Sequence, residues 1–124
     1  MSSEESLTAE LARFATGLAF EAIPAPVLQR AKEGVVDTLA VMLAGVETPS
    51  ASVVRQYARG LGAKGQGTVL GTGLRLPAQL AALANGVAGH ALDYDDTQIS
   101  SQPDRVYGLL THPSVPVLAA ALAS

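Results

Sequence analysis

The sequence contains no cysteine and no tryptophan, and only five of its 124 residues are phenylalanine or tyrosine. Without cysteine the chain can form no disulfide, no cysteine-ligated zinc site and no cysteine-held iron–sulfur cluster. No apolar run approaches the roughly 20 residues that a membrane-spanning helix requires. The first residues carry glutamates where a secretory signal needs positive charge. These absences predict a cytoplasmic protein that has no membrane partner.

Basic residues are too few and too scattered to suggest a nucleic-acid partner. Eight lysines and arginines stand against eleven aspartates and glutamates, which gives a net charge of −3, and no basic block is present. Apolar residues make up 48% of the chain and charged residues 15%, a balance that supports a packed core. The apolar content is mostly alanine, leucine and valine, which favours closely packed helices over aromatic-rich strands.

Apolar residues recur at helical spacing along most of the chain and predict an all-α fold. Prolines and glycines bound the predicted helices, which cover about residues 6–20, 26–43, 50–61, 77–90 and 113–124. A glycine-rich stretch near residues 67–76 predicts at most one short β-hairpin. The last residues follow an alanine-rich helical pattern with no terminating glycine or basic last turn. We therefore expect a bundle-like portion of a larger helical domain, cut from a longer protein.

Two glycines interrupt the alanine-rich fourth helix. Gly86 and Gly89 each cost a helix about 1 kcal/mol relative to alanine. Glycines retained at this cost indicate close helix packing or close approach of a ligand. Earlier in the chain, Asp37 lies within an apolar stretch of the second helix and is predicted to be a buried, hydrogen-bonded structural carboxylate rather than part of a site.

Residues 60–65 match the G-x-G-x-x-G pattern of dinucleotide-binding proteins. That motif requires a strand before it and a helix after it, so that the pyrophosphate meets the N–H groups of the helix. Here a helical pattern precedes the glycines and the hairpin follows them. We interpret these residues as a loop that ends the third helix.

A histidine and several carboxylates gather where the fourth helix ends, in the sequence HALDYDDT of residues 90–97. The pattern does not match a calcium loop, because Gln98 occupies the position that should be glycine. The D-x-D-x-T spacing resembles magnesium-dependent phosphatases, but their motif follows a buried strand rather than a helix. The remaining structural interpretation is a solvated helix end whose aspartates cap turns.

Helical spacing favours a chemical role for this cluster. If the helix continued for one more turn, His90, Asp93 and Thr97 would converge on one side. A carboxylate at the end of an apolar helix would be partly removed from water and would become a better proton acceptor near neutral pH. For His90 the alternative is a core histidine with satisfied hydrogen bonds.

A second cluster surrounds His112, which precedes Pro113 at the start of the fifth helix. Because a helix N-terminus favours anions, His112 could bind a substrate carboxylate there or deliver a proton. The structural alternative is a histidine beside Ser114 acting as an N-cap. The residues alone leave both interpretations open.

Five short segments, taken in order, resemble the MmgE/PrpD family. They are residues 36–39 (VDTL), 43–45 (LAG), 84–86 (ANG), 92–97 (LDYDDT) and 105–114 (RVYGLLTHPS). Members of this family dehydrate 2-methylcitrate, decarboxylate cis-aconitate or epimerise iminodisuccinate. The resemblance implies a large all-helical domain followed by an α/β lid, usually in a homodimer, with no metal or organic cofactor. Residues 1–124 would be the N-terminal segment of the helical domain, without its remainder and without the lid.

The same resemblance implies roles for individual residues. Asp93 would act as base or orienter, Thr97 would bind a substrate carboxylate, and His112 would exchange a proton with a carbanion-like centre. We therefore predict Asp93 and His112 as catalytic residues, Thr97 and His90 as substrate-binding residues, and no metal. Residues 98–110 are longer here than in cis-aconitate decarboxylases of the family, which disfavours that substrate.

These observations predict the N-terminal part of a cofactor-free lyase or isomerase, most similar to 2-methylcitrate dehydratases. Its substrate would be a small di- or tricarboxylic acid, and its chemistry would be proton transfer next to a carboxylate. The alternatives are a non-catalytic helical interaction module and a magnesium-dependent phosphatase.

Overall fold

Five α-helices and one short β-hairpin form the part of the chain that the structure, a computed structural model, describes: residues 6–98 and 111–123. The elements are α1 (Leu7–Gly17), α2 (Ala25–Ala44), α3 (Pro49–Gly60), β1 (Gly67–Thr68), β2 (Arg75–Leu76), α4 (Ala78–His90) and α5 (Ser114–Ala123). The predicted helical fold with a single hairpin is confirmed. None of these helices is both long and apolar enough to cross a membrane.

The first of two compact units ends at Lys32 and contains α1 and the beginning of α2. Ser6 begins α1, and its side-chain oxygen accepts a hydrogen bond from the backbone N–H of Ala9. The helix ends at Gly17, earlier than predicted, and a short 3₁₀ turn follows at Phe20–Ala22. No residue of α1 is buried, so its apolar stripe, including Leu11 and Phe14, remains exposed.

The second unit, from Glu33 onward, contains two small apolar cores. One core joins α3, the hairpin, α4 and the end of α5; its buried members are Ala58, Val69, Leu76, Ala81, Ala84 and Ala123. The other joins α2 to α5 through Val41, Met42, Val115 and Ala119. Alanine supplies four of the six buried members of the first core, as the alanine-rich sequence predicts, because small side chains let helix backbones approach closely.

A buried amide attaches α4 to the hairpin. The side chain of Asn85 is 1% exposed. Its Oδ1 accepts a hydrogen bond from the backbone N–H of Leu70, and its Nδ2 donates to the carbonyl oxygen of Thr68, both at 2.9 Å. Both partners are backbone groups that the short strands leave unpaired within the sheet. Asn85 therefore fixes the position of the loop relative to α4.

Three expectations for the second unit can be compared with the structure. Helix α3 begins at Pro49, one residue before the predicted start, and its cap is Thr48, whose side chain accepts a hydrogen bond from the backbone N–H of Ala51. Asp37 is exposed and not buried as expected; the buried neighbour is Thr38, whose hydroxyl donates to the carbonyl oxygen of Gly34. The glycines at 60–65 follow α3 and precede β1, which confirms a helix-ending loop.

Candidate active site

The turn after α4 determines how the site is arranged. The helix ends at His90, and the backbone N–H of Asp93 donates to the carbonyl oxygen of His90 at 3.1 Å. Asp93 adopts a left-handed conformation with φ of 56°, a region that aspartate tolerates better than most residues. The chain then returns toward α5, where the backbone N–H of Gln98 donates to the carbonyl oxygen of Thr111 at 2.8 Å. The predicted continuation of helical spacing through Asp93 and Thr97 is therefore wrong.

The buried carboxylate of this turn is Asp95, and not Asp93 as the sequence suggested. The Asp95 side chain is only 1% exposed, whereas the Asp93 side chain is 78% exposed. Both Asp95 oxygens lie within hydrogen-bonding distance of His90 Nδ1, at 3.0 and 3.1 Å. The aspartates at positions 93, 95 and 96 look alike in sequence, and the turn that contains the left-handed Asp93 leaves Asp93 exposed and Asp95 buried.

His112 completes the cluster from the other side. Its Nε2 lies 3.6 Å from Asp93 Oδ1, and its Nδ1 lies 3.3 Å from Asp95 Oδ2. The His90 and His112 rings meet edge to face, with their centroids 4.6 Å apart. Within the described residues, Nδ1 of His112 is buried without a hydrogen bond of good geometry, although Asp95 is near. Asp93 and His112 are thus brought together, as the two sequence clusters predicted.

The N-terminus of α5 is occupied by a carboxylate of the chain itself. Asp96 accepts hydrogen bonds from the backbone N–H of Ser114 at 3.2 Å and from its hydroxyl at 2.6 Å. A negative charge at this position is favoured by the helix dipole. The sequence suggested that a substrate anion could occupy this helix end, but Asp96 already does so. The contact also anchors the residues after α4 to the start of α5, which places His112 beside Asp95.

The two predicted substrate-binding residues are placed differently. The His90 side chain is 56% exposed and lines both of the clefts described next. Thr97 is exposed, and it does not belong to the lining of either cleft. Its predicted contact with a substrate carboxylate stays a prediction. The longer segment noted at 98–110 lies almost entirely outside the described residues.

Two adjoining clefts open beside the cluster. The smaller has a volume of about 260 Å³ and is lined by Gly86, His90, Asp95, His112, Val115 and Pro116. The larger, about 510 Å³, has a mostly apolar lining of Ser50, Ala82, Leu83, Gly86, Val87, His90, Ala91, Pro116 and Ala119. They share Gly86, His90 and Pro116. A small molecule could therefore meet polar groups at one end and an apolar wall at the other.

The same polar groups could also hold a metal ion. One ligand atom from each of His90, Asp93, Asp95 and His112 lies within 4.8 Å of the others. Imidazole nitrogens and carboxylate oxygens suit zinc and related divalent ions. A metal bound through His90 Nδ1 would have to replace its hydrogen bond to Asp95. The expectation of a metal-free site stays a prediction.

The surroundings of the D-x-D-x-T motif disfavour the phosphatase alternative. The motif follows helix α4, whereas the phosphatases place it directly after a buried strand. In the described part of the chain the only strands are the two-residue β1 and β2, which precede α4. The cluster therefore lacks the supporting strand that positions an aspartate nucleophile in those enzymes.

Comparison with known proteins gives a consistent result. A family model described as the MmgE/PrpD N-terminal domain matches residues 9–124. The chain is 34% identical over 115 residues to cis-aconitate decarboxylase of Homo sapiens and 33% identical over 115 residues to that of Mus musculus. It is 36% identical over 93 residues to the cis-aconitate decarboxylase-like protein oryM of Aspergillus oryzae.

These matches cover most of the chain but little of the relatives. The human and mouse alignments span 92% of this chain and 22% of each relative, and the fungal alignment spans 75% and 19%. The chain thus corresponds to about a fifth of the length of the curated relatives it matches. A relationship to lyases disfavours both the non-catalytic module and the phosphatase. The family model matches nearly the whole sequence, and the chain belongs to the MmgE/PrpD family.

Proposed function

We propose that this chain contributes part of the active site of a longer lyase or isomerase that acts on small di- or tricarboxylic acids. The observation that carries the proposal is the convergence of Asp93, Asp95, His90 and His112. His90, Asp95 and His112 line one small cleft, and Asp93 lies beside them, 3.6 Å from His112. The kinship with cis-aconitate decarboxylases supports chemistry on a tricarboxylate. Dehydration of a β-hydroxy acid, as in 2-methylcitrate dehydratases, is the first reaction to test, and decarboxylation is the second.

The proposed chemistry moves a proton at a carbon next to a carboxylate. Dehydration, decarboxylation and epimerisation of such acids all create or quench negative charge at that carbon. Asp93 is exposed and can reach a substrate as base or orienter, and His112, with Nε2 facing Asp93 at 3.6 Å, would exchange the proton. His90 and Thr97 would bind the substrate. No cofactor takes part in this scheme.

Cationic groups for the substrate have to come from elsewhere. In the described part of the chain no lysine or arginine lines either cleft. A di- or tricarboxylate needs positive partners to offset the loss of hydration, and protonated histidines alone supply few. We infer that these partners lie outside the described residues, and that the 124-residue chain alone, without the rest of a longer protein, is inactive or nearly so. A homodimer in the cytoplasm is part of the same proposal.

Substitution of the two predicted catalytic residues tests the proposal in the longer protein. Asp93→Asn and His112→Ala should each lower turnover by about 100-fold or more, the usual scale for a positioned acid or base. Turnover would be measured with 2-methylcitrate, cis-aconitate and iminodisuccinate as substrates. Asp37→Asn, which changes an exposed carboxylate on α2, is the matched control and should leave turnover unchanged. Near-normal rates in both active-site variants, or no turnover of any of these acids by the longer protein, would refute the proposal.

A further inference from the structure

Asp95 is a buried acid that the proposed proton transfer does not use. Its side chain is 1% exposed, and it faces one imidazole on each side. Burying a carboxylate without compensation is costly, so such groups are retained where hydrogen bonds or opposite charges offset the loss of water. The nitrogens that compensate Asp95 belong to His90 and His112. Its burial is therefore tied to both rings of the site.

We propose that Asp95 is a positioning residue that holds the two imidazoles of the site, an inference that rests on the proposed function for its catalytic consequence. Both Asp95 oxygens lie 3.0 to 3.1 Å from His90 Nδ1. An ionised carboxylate can only accept hydrogen bonds, so Nδ1 of His90 has to carry the proton. In a neutral ring this leaves Nε2 unprotonated. His90 thus presents a proton acceptor to a ligand, and its ring lines both clefts.

His112 lies between two aspartates of different character. The buried Asp95 faces its Nδ1 at 3.3 Å, and the exposed Asp93 faces its Nε2 at 3.6 Å. Neither contact is a hydrogen bond in the structure, so the two carboxylates act on His112 through their charge, which attracts the ring when it is protonated. Asp95 cannot reach bulk water, so it orients the ring, whereas Asp93 is free to meet a substrate. Asp95 thus orients the His112 ring, and Asp93 takes part in the chemistry.

The position of the proton on each ring tests this inference without any enzyme assay. Long-range ¹H–¹⁵N correlation spectra of the 124-residue chain show which ring nitrogen is protonated, at a pH where the rings are neutral. We expect His90 to be protonated at Nδ1. Asp95→Asn keeps the shape of the side chain but removes its charge, and it should shift His90 toward the Nε2-protonated form and change the nitrogen shifts of His112. Asp93→Asn is the matched control and should leave His90 in its original form.

Several results would overturn the inference. One is a wild-type His90 protonated at Nε2, and this measurement needs no variant, so it remains decisive if Asp95→Asn does not fold. Another is a folded Asp95→Asn chain whose two imidazoles have unchanged spectra. A third is a purified chain that holds a divalent ion on Nδ1 of His90, since Asp95 would then be a metal ligand.

A kinetic measurement in the longer protein separates this inference from the proposed function. Asp95→Asn should lower kcat by about 10- to 100-fold, the scale typical of partners that orient a functional histidine. KM should change far less, because Asp95 does not touch the substrate. A change in KM as large as the change in kcat, in a variant whose circular dichroism matches that of the original protein, would contradict a positioning role. If the tautomers respond as expected but no carboxylic acid is turned over, the proposed function fails and the positioning role of Asp95 stands.

Discussion

Helix α4 has two faces that each contain alanine and one glycine, and the structure uses them differently. One face is buried against the neighbouring elements: Ala81, Ala84, Asn85, Ala88 and Gly89. The other face borders the larger cleft: Ala82, Leu83, Gly86, Val87 and His90. The alanines and glycines of α4 are thus divided between two surfaces. One packs against neighbouring elements, and the other faces the open cleft beside the site.

The two glycines of α4 show the difference most clearly. A Cβ added at Gly89 would meet Val115 Cγ1 at 2.8 Å and Met42 Cγ at 3.1 Å, whereas one added at Gly86 would meet nothing nearer than Ala119 Cβ at 3.8 Å. Close packing therefore explains why residue 89 is glycine, but it does not explain why residue 86 is glycine. Because each glycine costs the helix about 1 kcal/mol, Gly86 needs another reason, and the clefts that it lines provide one.

The largest expected effect is on the packed face, where α2 approaches α4. A Cβ added at Gly45 would lie 1.9 Å from the carbonyl oxygen of Ala88, which is backbone and cannot rotate away. Gly45→Ala should therefore lower the free energy of unfolding by about 3 kcal/mol, the upper end of the usual cost of overpacking. Urea denaturation of the 124-residue chain, followed by circular dichroism, measures this change.

Gly34, inside α2 and 11 residues before Gly45, provides the control. Gly34 lies inside the helix, and an added Cβ would have no atom within 4 Å. Gly34→Ala should raise the free energy of unfolding by up to about 1 kcal/mol through helix propensity alone. If the two alanine variants changed stability equally, close approach of the backbones would not be the reason for Gly45.

Local patterns predicted most of the fold. Apolar spacing and the prolines and glycines between segments located five helices and the hairpin, because these features act within a few residues. Which side chains become buried was predicted less well. The phase of α2 places Thr38 inside and Asp37 outside, and the apolar stripe of α1 is exposed. Burial depends on which elements pack together, and a single sequence does not state that.

Sequence analysis identified which residues form the site better than it predicted how they are arranged. His112 before a proline and the carboxylates after α4 identified the two clusters, and the structure brings Asp93 within 3.6 Å of His112. The burial of Asp95 was not predicted, because aspartates occupy positions 93, 95 and 96 and the sequence does not distinguish which of them faces inward. Asp96 accepts hydrogen bonds from Ser114 at the N-terminus of α5, which lies 18 residues later in the sequence. No local sequence pattern indicated a contact over this separation.

A smaller loss of stability is expected from Asn85, the polar member of the packed face. Asn85→Leu removes two hydrogen bonds and leaves the Leu70 N–H and the Thr68 carbonyl without these partners. The expected cost is about 2 kcal/mol, measured by urea denaturation. Gln79→Ala changes an exposed polar residue on the same helix and should stay within about 0.5 kcal/mol of the original chain. Similar effects of the two substitutions would show that the buried amide contributes little.

Apart from the control substitutions, the smallest change in stability is expected at Gly86, and it is the only increase among those on α4. Gly86→Ala should raise the free energy of unfolding by up to about 1 kcal/mol, because the nearest contact of the new methyl group is an ordinary one at 3.8 Å. The same methyl group would project beside both clefts, so KM in the longer protein should rise several-fold. Gly89→Ala, which destabilises by packing, provides the contrast. A Gly86→Ala variant that is more stable and has an unchanged KM would show that the cleft face of α4 does not contact the substrate. The two faces would then differ in packing alone.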